Sequence, residues 1–414
     1  MSYIRKTIAA VSAAALAASM AGCTPNIGGG SRTAVTVDGY EVPAGVFIYY
    51  TMQGYDEAAS VLQGNTGTAP TAKEVRNSNI DSIDSTDWIQ NKATEYAVDY
   101  VNIQKEFEAI GGTLTQEEID SAEEMANSFY AQNELYAENG VSLDSMIDIA
   151  LGIYKEQAIF KHYYGFDSEE GCSEDELKDY FDENYARVKY LQISLTDSEG
   201  NKVSADEERK LRTLAEEYAE QINSKSTELE KLQEVEAVSQ AYDEYKAAST
   251  TTAADVAVVT TTTTTTSDAS ETTTTTTTDP YANERLVKKN TTTTADAASN
   301  ETVGTQAQTE EEDESTENAN KFNDFIFGEL DMDKAEVYDY SDEAIYVVIR
   351  GDLRERMNED GYWTDNYITR LQSERYQDSF VKKMEEKSGK LVVEKNKRAY
   401  KRYSPFKLVL EEEE

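Results

Sequence analysis

The spacing of apolar residues predicts helices over most of the first half of the chain. Within residues 88–110, apolar side chains recur at intervals of three or four, the period of an amphipathic helix. Thr115–Glu118 and Ser173–Glu176 are capping-box patterns, which mark the starts of further helices. Residues 34–42 alternate around an Asp-Gly pair and predict a β-hairpin. We therefore expect a mostly helical domain over residues 34–185, with a small strand element.

A second and smaller unit is predicted beyond that domain, because the period of the pattern changes. Residues 188–195 alternate in part, as a strand does, and residues 344–349 are the most apolar strand candidate in the chain. Helical patterns accompany both strands. The sequence therefore predicts one α+β unit made of two halves, residues 186–248 and residues 321–352.

The composition changes abruptly between these two halves. Residues 249–320 contain three runs of threonine, followed by a cluster of acidic residues. Such a segment buries too little apolar surface to offset the entropy lost on ordering, so we expect it to be disordered. An insertion of this length is tolerated because closure entropy rises slowly with loop length. After the second half, residues 353–414 are predicted to form a long helix and a tail.

The N-terminus has the layout of a processing segment. Two basic residues precede an uncharged, alanine-rich run at residues 7–20, as in a secretory signal, and Met20–Cys23 looks like a bacterial lipobox. We expect residues 1–22 to be a cleaved signal peptide, Cys23 to be lipidated, and residues 23–33 to be a tether. The protein would then be anchored by lipid at the extracytoplasmic face of a bacterial cell membrane. The alternative is an ordinary cleaved signal that leaves a free thiol.

Charge and residue inventory exclude several classes of function. The chain has 80 acidic and 39 basic residues, a net charge of −41, which argues against binding nucleic acid and favours solubility or a basic client. His162 is the only histidine and there are two cysteines, so the usual ligands of a zinc site are missing. No phosphate-cradling glycine loop is present. We expect no cofactor and no metal.

The order of these elements resembles the parvulin-type foldase lipoproteins, which are PrsA-like, and the related SurA-like chaperones. The resemblance rests on the lipid anchor, on the hairpin VTVDGYEV, on the helices ending GVSLDSMIDIALGIYKEQAIFKHYYG, and on the link SEDELKDYFDENYARVKYLQISL. It implies an α+β fold. A mostly helical SurA-like chaperone domain would be completed by the C-terminal helix, and a small parvulin-like domain would be split by the threonine-rich insertion.

The sequence departs from the family at the residues that build the parvulin site. Parvulin domains typically open with R-A-x-H-I-L-V, whereas Arg187–Ile193 places Tyr190 at the family histidine. The closing family strand resembles G-Y-H-I-I-K, and Ala344–Arg350 places Tyr346 at the second histidine. Parvulins use this histidine pair to hold a twisted amide, and tyrosine cannot reproduce the tautomeric imidazole network. We therefore expect no catalytic residue at these positions and weak or absent prolyl isomerase activity.

The resemblance implies a membrane-anchored chaperone or foldase for unfolded or newly exported proteins. Two alternatives stay open, namely an active peptidyl-prolyl cis–trans isomerase of the same fold and a cell-surface interaction or stalk lipoprotein. A homodimer also stays open. Tyrosine gives amphipathic contact area at low entropy cost, so some of the 27 tyrosines are candidates for a client-binding groove. These candidates are Tyr49, Tyr50, Tyr130, Tyr163 and Tyr164.

Overall fold

The protein divides into two compact units. The computed structural model describes residues 33–166, 168–250, 281–290 and 314–408. The first unit contains the chain up to residue 170 and from residue 377 onward, and the second contains residues 171–376. Both contain helices and sheets, so the fold is mixed α+β, as predicted. Every helix within the described ranges is too short or too polar to cross a membrane. The predicted signal peptide and Cys23 lie outside the described residues.

The elements are numbered in chain order. The helices are α1 (Ala44–Thr66), α2 (Ala72–Arg76), α3 (Ser85–Ala109), α4 (Gln116–Gln132), α5 (Glu134–Asn139), α6 (Leu143–Tyr164), α7 (Glu174–Asn184), α8 (Ala205–Asn223), α9 (Glu228–Thr250), α10 (Glu314–Gly328), α11 (Asp365–Ser388) and α12 (Lys397–Arg402). The strands are β1 (Val35–Val37), β2 (Tyr40–Glu41), β3 (Asn79–Ile80), β4 (Ile83–Asp84), β5 (Tyr185–Ser194), β6 (Arg285–Lys288), β7 (Ala335–Ser341), β8 (Ala344–Gly351) and β9 (Val393–Lys395).

The first unit begins with the predicted hairpin, which is confirmed. Strands β1 and β2 pair antiparallel around Asp38 and Gly39, whose φ angles are 49° and 83°. A two-residue hairpin turn with positive φ at both positions favours this Asp-Gly pair. Strand β9 pairs with the other side of β1, so the order of the sheet is β2-β1-β9. A strand from the C-terminal part of the chain thereby completes the N-terminal sheet.

Helices α1, α3, α4 and α6 supply most of the apolar core of the first unit. Helix α4 begins with the predicted capping box, in which Thr115 and Glu118 bond reciprocally. Helix α1 approaches α6 so closely that a Cβ at Gly45 would lie 2.3 Å from Ser145 Oγ. The later residues of α11 also belong to this core, because the Phe380 ring is 2% exposed and lies 5.3 Å from the Phe160 ring.

The second unit is built on a four-stranded antiparallel sheet of order β6-β5-β8-β7. One face packs against α8 and α9, where Leu191 and Ile193 of β5 enter the core. The opposite face carries Val188 and Tyr190 of β5 and packs against α10. Successive side chains of a strand point to opposite faces, so β5 contributes to both cores. The two predicted halves therefore meet in one sheet, with β5 directly beside β8.

The prediction of disorder over residues 249–320 is wrong for residues 281–290 and 314–320. Leu286 and Val287 are half-buried in β6, which pairs with the edge of β5, and residues 314–320 begin α10. Two apolar residues are enough to form a strand here because the edge of β5 supplies hydrogen-bond partners for its backbone. The average composition of the segment does not reveal those partners. Residues 249–250 end α9, and residues 251–280 and 291–313 lie outside the described residues.

The boundary between the units differs from the predicted one. It falls after residue 170 rather than after residue 185, so α7 belongs to the second unit. Phe181 of α7 is fully buried and its ring contacts those of Tyr185 and Trp363. These contacts pack α7 against residues of the second unit. Residues 353–376, predicted to pack on the first domain, are likewise part of the second unit.

A tyrosine ladder as candidate functional site

The two tyrosines that the resemblance aligns with a pair of histidines lie against each other. Tyr190 on β5 and Tyr346 on β8 have ring centroids 4.7 Å apart and an interplanar angle of 16°. The register sets Tyr190 opposite Val348 and Gln192 opposite Tyr346, so the two tyrosines are diagonal neighbours on one face. Residues far apart in sequence are thus brought into a single stacked pair.

The stack continues across the sheet. Tyr340 on β7 lies on the other side of Tyr346, with centroids 4.4 Å apart and an interplanar angle of 16°. The guanidinium of Arg285 on β6 lies 4.7 Å from the Tyr190 centroid. These separations are close to the spacing of about 4.8 Å between neighbouring strands. Each of the four strands therefore contributes one residue to a continuous row, and we call Tyr190, Tyr346 and Tyr340 the tyrosine ladder.

Phe322 of α10 covers the tyrosine ladder. Its ring meets Tyr190 at 5.8 Å and 84°, Tyr346 at 5.1 Å and 80°, and Tyr340 at 5.8 Å and 86°. Edge-to-face contacts of this kind are favourable because the positive edge of one ring meets the negative face of another. Phe322 is only 9% exposed. One phenylalanine thus contacts the rings of all three tyrosines.

A cleft of about 310 Å³ lies between the tyrosine ladder, α10 and β6. Its apolar lining is Val287, Ala319 and the rings already described. Its polar lining consists of the phenols, Arg285 and three asparagines, and none of the described residues that line it carries a carboxylate. The cleft is therefore mainly aromatic, with one positive charge at its β6 side.

The asparagines attach β6 to α10. Asn323 accepts a bond from the backbone N–H of Asn290 at 2.9 Å and donates from Nδ2 to the Lys288 carbonyl at 2.7 Å. The Asn290 side chain donates to Asn320 Oδ1 at 2.8 Å. Asn323 is 8% exposed, so this amide serves the wall of the cleft rather than solvent. The wall that carries Arg285 is consequently held in place from the helix side.

Two phenols of the ladder, those of Tyr346 and Tyr190, stay protonated across the physiological range. Burial is the largest cause that raises the pKa of Tyr346 from its ordinary value of 10.0 to about 12, and the neighbouring phenols of Tyr190 and Tyr340 contribute to the same increase. Burial also raises the pKa of Tyr190, against a smaller opposing effect of Arg285. The described lining contains no histidine, lysine or thiol, and no group of metal-ligating side chains occurs in the described ranges. The cleft can stack rings and donate hydrogen bonds, but it offers no general base.

These raised pKa values predict a loss of stability at alkaline pH. The Tyr346 phenol keeps its proton to about pH 12 in the folded protein but loses it near 10.0 when unfolded. Its stabilising effect is therefore complete below pH 10 and is lost as pH rises through the folded pKa. Urea unfolding measures the free energy of unfolding at about pH 9 and about pH 11. The decrease between these two pH values should be smaller for Tyr346→Phe than for the unchanged protein. Equal losses in the two proteins would contradict this assignment.

One of the predicted client-binding tyrosines, Tyr164, is a packing residue, and the neighbouring Tyr163 is half-buried. The Tyr164 ring is 3% exposed and lies 5.5 Å from the Phe160 ring, inside the core of the first unit. The Tyr163 phenol donates to Glu106, which also pairs with Lys387 at 2.7 Å. Periodicity placed both tyrosines on a helix but did not show which face is covered. The prediction that they line a groove is wrong for Tyr164, and Tyr163 is committed to a hydrogen bond.

The other three candidates are half-buried in the first unit. Tyr49 and Tyr50 have ring centroids 5.6 Å apart, and Tyr49 also meets Tyr136 at 5.7 Å. The Tyr130 phenol donates to the Val141 carbonyl at 3.2 Å. The tyrosine ladder lies in the second unit, and none of these three tyrosines lines its cleft. Their role in client binding stays a prediction.

Three residues of the candidate site were missed by sequence reasoning. Tyr340 belongs to a Tyr-Asp-Tyr alternation just before the most apolar strand, which is a usable strand signal. Phe322 lies in a helical pattern, but the sequence does not show which side chains its ring contacts. Arg285 lies in the short segment Arg-Leu-Val-Lys inside the threonine-rich region, where a local apolar pair was the only signal.

Comparison of the chain with protein-family models, with curated proteins and with solved structures found no match. Function is therefore inferred from the residues of the cleft, from their charges and contacts, and from the resemblance described above.

Proposed function

We propose that the protein is a membrane-anchored extracytoplasmic chaperone that binds unfolded exported proteins. It resembles the parvulin-type foldases, with a parvulin site that has lost its isomerase chemistry. The observation that carries the proposal is the stacking of Tyr190 on Tyr346. The resemblance aligned these two positions with the two histidines of one site, and they lie side by side in one cleft.

The arrangement of the units supports a finer description of the fold. We propose that the first unit is a SurA-like chaperone domain, completed by strand β9 and the later part of α11. The contact of Asn102 Nδ2 with the Met384 carbonyl at 3.0 Å supports this, because it ties the C-terminal helix to α3. We propose that the second unit is a parvulin-like domain, since β5 and β8 are neighbours although the threonine-rich segment separates them in sequence.

The chemistry of the cleft suits binding better than isomerisation. A proline or aromatic side chain of an unfolded segment can contact the exposed parts of the ladder, because rings stack favourably. Isomerisation must overcome a barrier of about 18–20 kcal/mol, which requires a pocket shaped around the twisted amide. Tyr346 is 7% exposed and its ring is held between Tyr190 and Tyr340, so little of it faces a substrate. We therefore expect client binding with little or no isomerase activity.

The experiment that tests the chaperone proposal is suppression of aggregation. A reduced, unfolded exported protein is diluted with and without the purified full-length protein, and light scattering is followed. We expect suppression, weakened by Tyr190→Ala because the client loses one end of the tyrosine ladder. Phe129→Ala is the matched control, since this ring is 56% exposed in the first unit and lies outside the cleft. Equal suppression by both variants would exclude the ladder as the binding site, and no suppression at all would exclude a chaperone.

A separate experiment tests the proposed lipid anchor. Cells that produce the protein are labelled with palmitate, and the purified chain is examined for the label. We expect labelling that Cys23→Ala abolishes, because lipid is attached to that thiol. Cys172→Ala is the control, since Cys172 is the only other cysteine and is 5% exposed. Retention of the label by Cys23→Ala, or an unlabelled parent protein released into the medium, would contradict anchoring through Cys23.

A further inference from the structure

Arg285 places a positive charge at the cleft. The side chain is exposed, lies over the Tyr190 ring, and forms no ion pair with a carboxylate of the described residues. The whole chain carries 80 acidic residues and only 39 basic ones. An arginine without a carboxylate partner at the rim of an aromatic cleft is therefore available to a ligand.

Two other arginines of the second unit, Arg187 and Arg354, are paired with carboxylates. Arg187 contacts Glu228 and Glu284, and it is 1% exposed. Arg354 contacts Asp179 at 2.7 Å, and it also contacts a second aspartate of α7. Arg285 differs from both because its neighbours in the cleft are rings and amides. The charge at the cleft is therefore not neutralised from within the described structure.

The amides that line the cleft do not replace a carboxylate. Asn323 uses its oxygen and its nitrogen in bonds to the 288–290 backbone, and Asn320 Oδ1 accepts from Asn290. The phenols of Tyr190 and Tyr346 are neutral, because burial raises the pKa of each. The contact with Tyr190 also limits where the guanidinium can lie, since cation–π attraction holds it near the ring face. A ligand that stacks on the ladder thus meets a positioned positive charge.

We infer that Arg285 makes the cleft prefer client segments in which an acidic side chain lies two residues from an apolar ring. The inference rests on the proposed function, since it names the client sequence that the same cleft selects. Arginine presents a planar fork that matches a carboxylate in two hydrogen bonds. In an extended segment, residues two apart share a face and are separated by about 6.6–6.8 Å. A ring on the ladder and a carboxylate on Arg285 can therefore come from one short segment.

The test uses fluorescein-labelled, N-acetylated and C-amidated hexapeptides that contain a Pro-Phe pair. One carries Glu two residues after the Phe and the other carries Gln there, and fluorescence anisotropy with the full-length protein gives both dissociation constants. We expect tighter binding of the Glu peptide by about fivefold, the effect of one partly exposed charge pair. The preference should shrink when salt rises from about 0.05 M to about 0.5 M, because exposed charges are screened.

Variants assign this preference to one side chain. Arg285→Gln should bind both peptides equally, and Arg285→Lys should keep part of the preference because it keeps the charge without the fork. Lys289→Gln is the matched control, because it removes a cation of the same segment that does not line the cleft. It should leave the preference unchanged. A Glu preference that survives in Arg285→Gln would overturn the inference.

Further outcomes separate the inference from the proposed function. Equal binding of the Glu and Gln peptides by the unchanged protein would overturn the inference and leave client binding in place. Binding of neither peptide would overturn the proposed cleft as a client site together with the inference. A third peptide has Gln and a free C-terminal carboxylate, and we expect no gain from it. A gain there without a gain from Glu would show that the site reads chain ends, which also overturns the inference.

Discussion

Replacing Arg187 with alanine is expected to lower the free energy of unfolding of the second unit by about 3–5 kcal/mol. Arg187 is 1% exposed and contacts Glu228 and Glu284, and the Glu284 side chain is itself 3% exposed. Removing the arginine leaves carboxylates buried without their cation, which costs far more than the pair gains. The backbone is fitted around this side chain, because a Cβ at Gly351 would lie 2.4 Å from Arg187 Nη2.

Urea unfolding followed by tryptophan fluorescence measures this effect. Trp363 is 9% exposed in the second unit and Trp88 is 7% exposed in the first, so substituting either one isolates the signal of the other unit. Lys202→Ala is the control for Arg187→Ala. It breaks a pair with Asp342 whose side chains are 61% and 81% exposed, so it should leave the free energy of unfolding almost unchanged. A loss below about 1 kcal/mol for Arg187→Ala would contradict a structural role for the buried pairs.

Phe322→Ala is expected to destabilise the second unit by about 3 kcal/mol and to weaken peptide binding at the cleft by at least about tenfold. The first effect follows from the cavity left beside the three rings of the tyrosine ladder. The second follows because Phe322 contacts all three of those rings from the α10 side. Urea unfolding and peptide anisotropy measure the two effects separately.

Two further variants separate the effects of Phe322 on stability and on binding. Phe322→Leu keeps most of the apolar volume, so it should cost about 1 kcal/mol while still weakening peptide binding. Phe129→Ala removes a ring that is 56% exposed and should change stability by less than about 0.5 kcal/mol. Unchanged peptide binding in folded Phe322→Leu would show that the orientation of the ladder is not set by the phenylalanine ring.

Local signals in the sequence predicted the elements of the fold well. The capping boxes at Thr115 and Ser173 were confirmed because each depends on residues only three apart. The turn at Asp38-Gly39 was confirmed for the same reason. Such patterns act within one turn of chain, so they do not depend on how distant segments pack.

Long-range placement was predicted in two cases: the two halves of the second unit, from their strand and helix patterns, and the two tyrosines of the cleft, from the resemblance. Tyr190 and Tyr346 were linked through the family's histidine pair, and no spacing within the chain would have joined them. Arg285 was missed because residues 249–320 were judged by composition, whereas strand β6 depends on the edge of β5 as its partner. Tyr164 was misassigned because the helical period shows which residues share a face of the helix but not what packs against that face. The Phe380 ring covers the face that carries Tyr164.

Exchange NMR on a proline-containing peptide with the purified full-length protein decides whether the tyrosine ladder binds clients without isomerising them. We expect peptide resonances near the proline to shift on addition of the unchanged protein. With Tyr190→Ala they should stay at their positions in the free peptide. Cis–trans exchange should stay at the uncatalysed timescale of about tens to hundreds of seconds. Exchange faster than about one second, lost in Tyr346→Phe, would instead show an active isomerase and contradict the loss of parvulin chemistry.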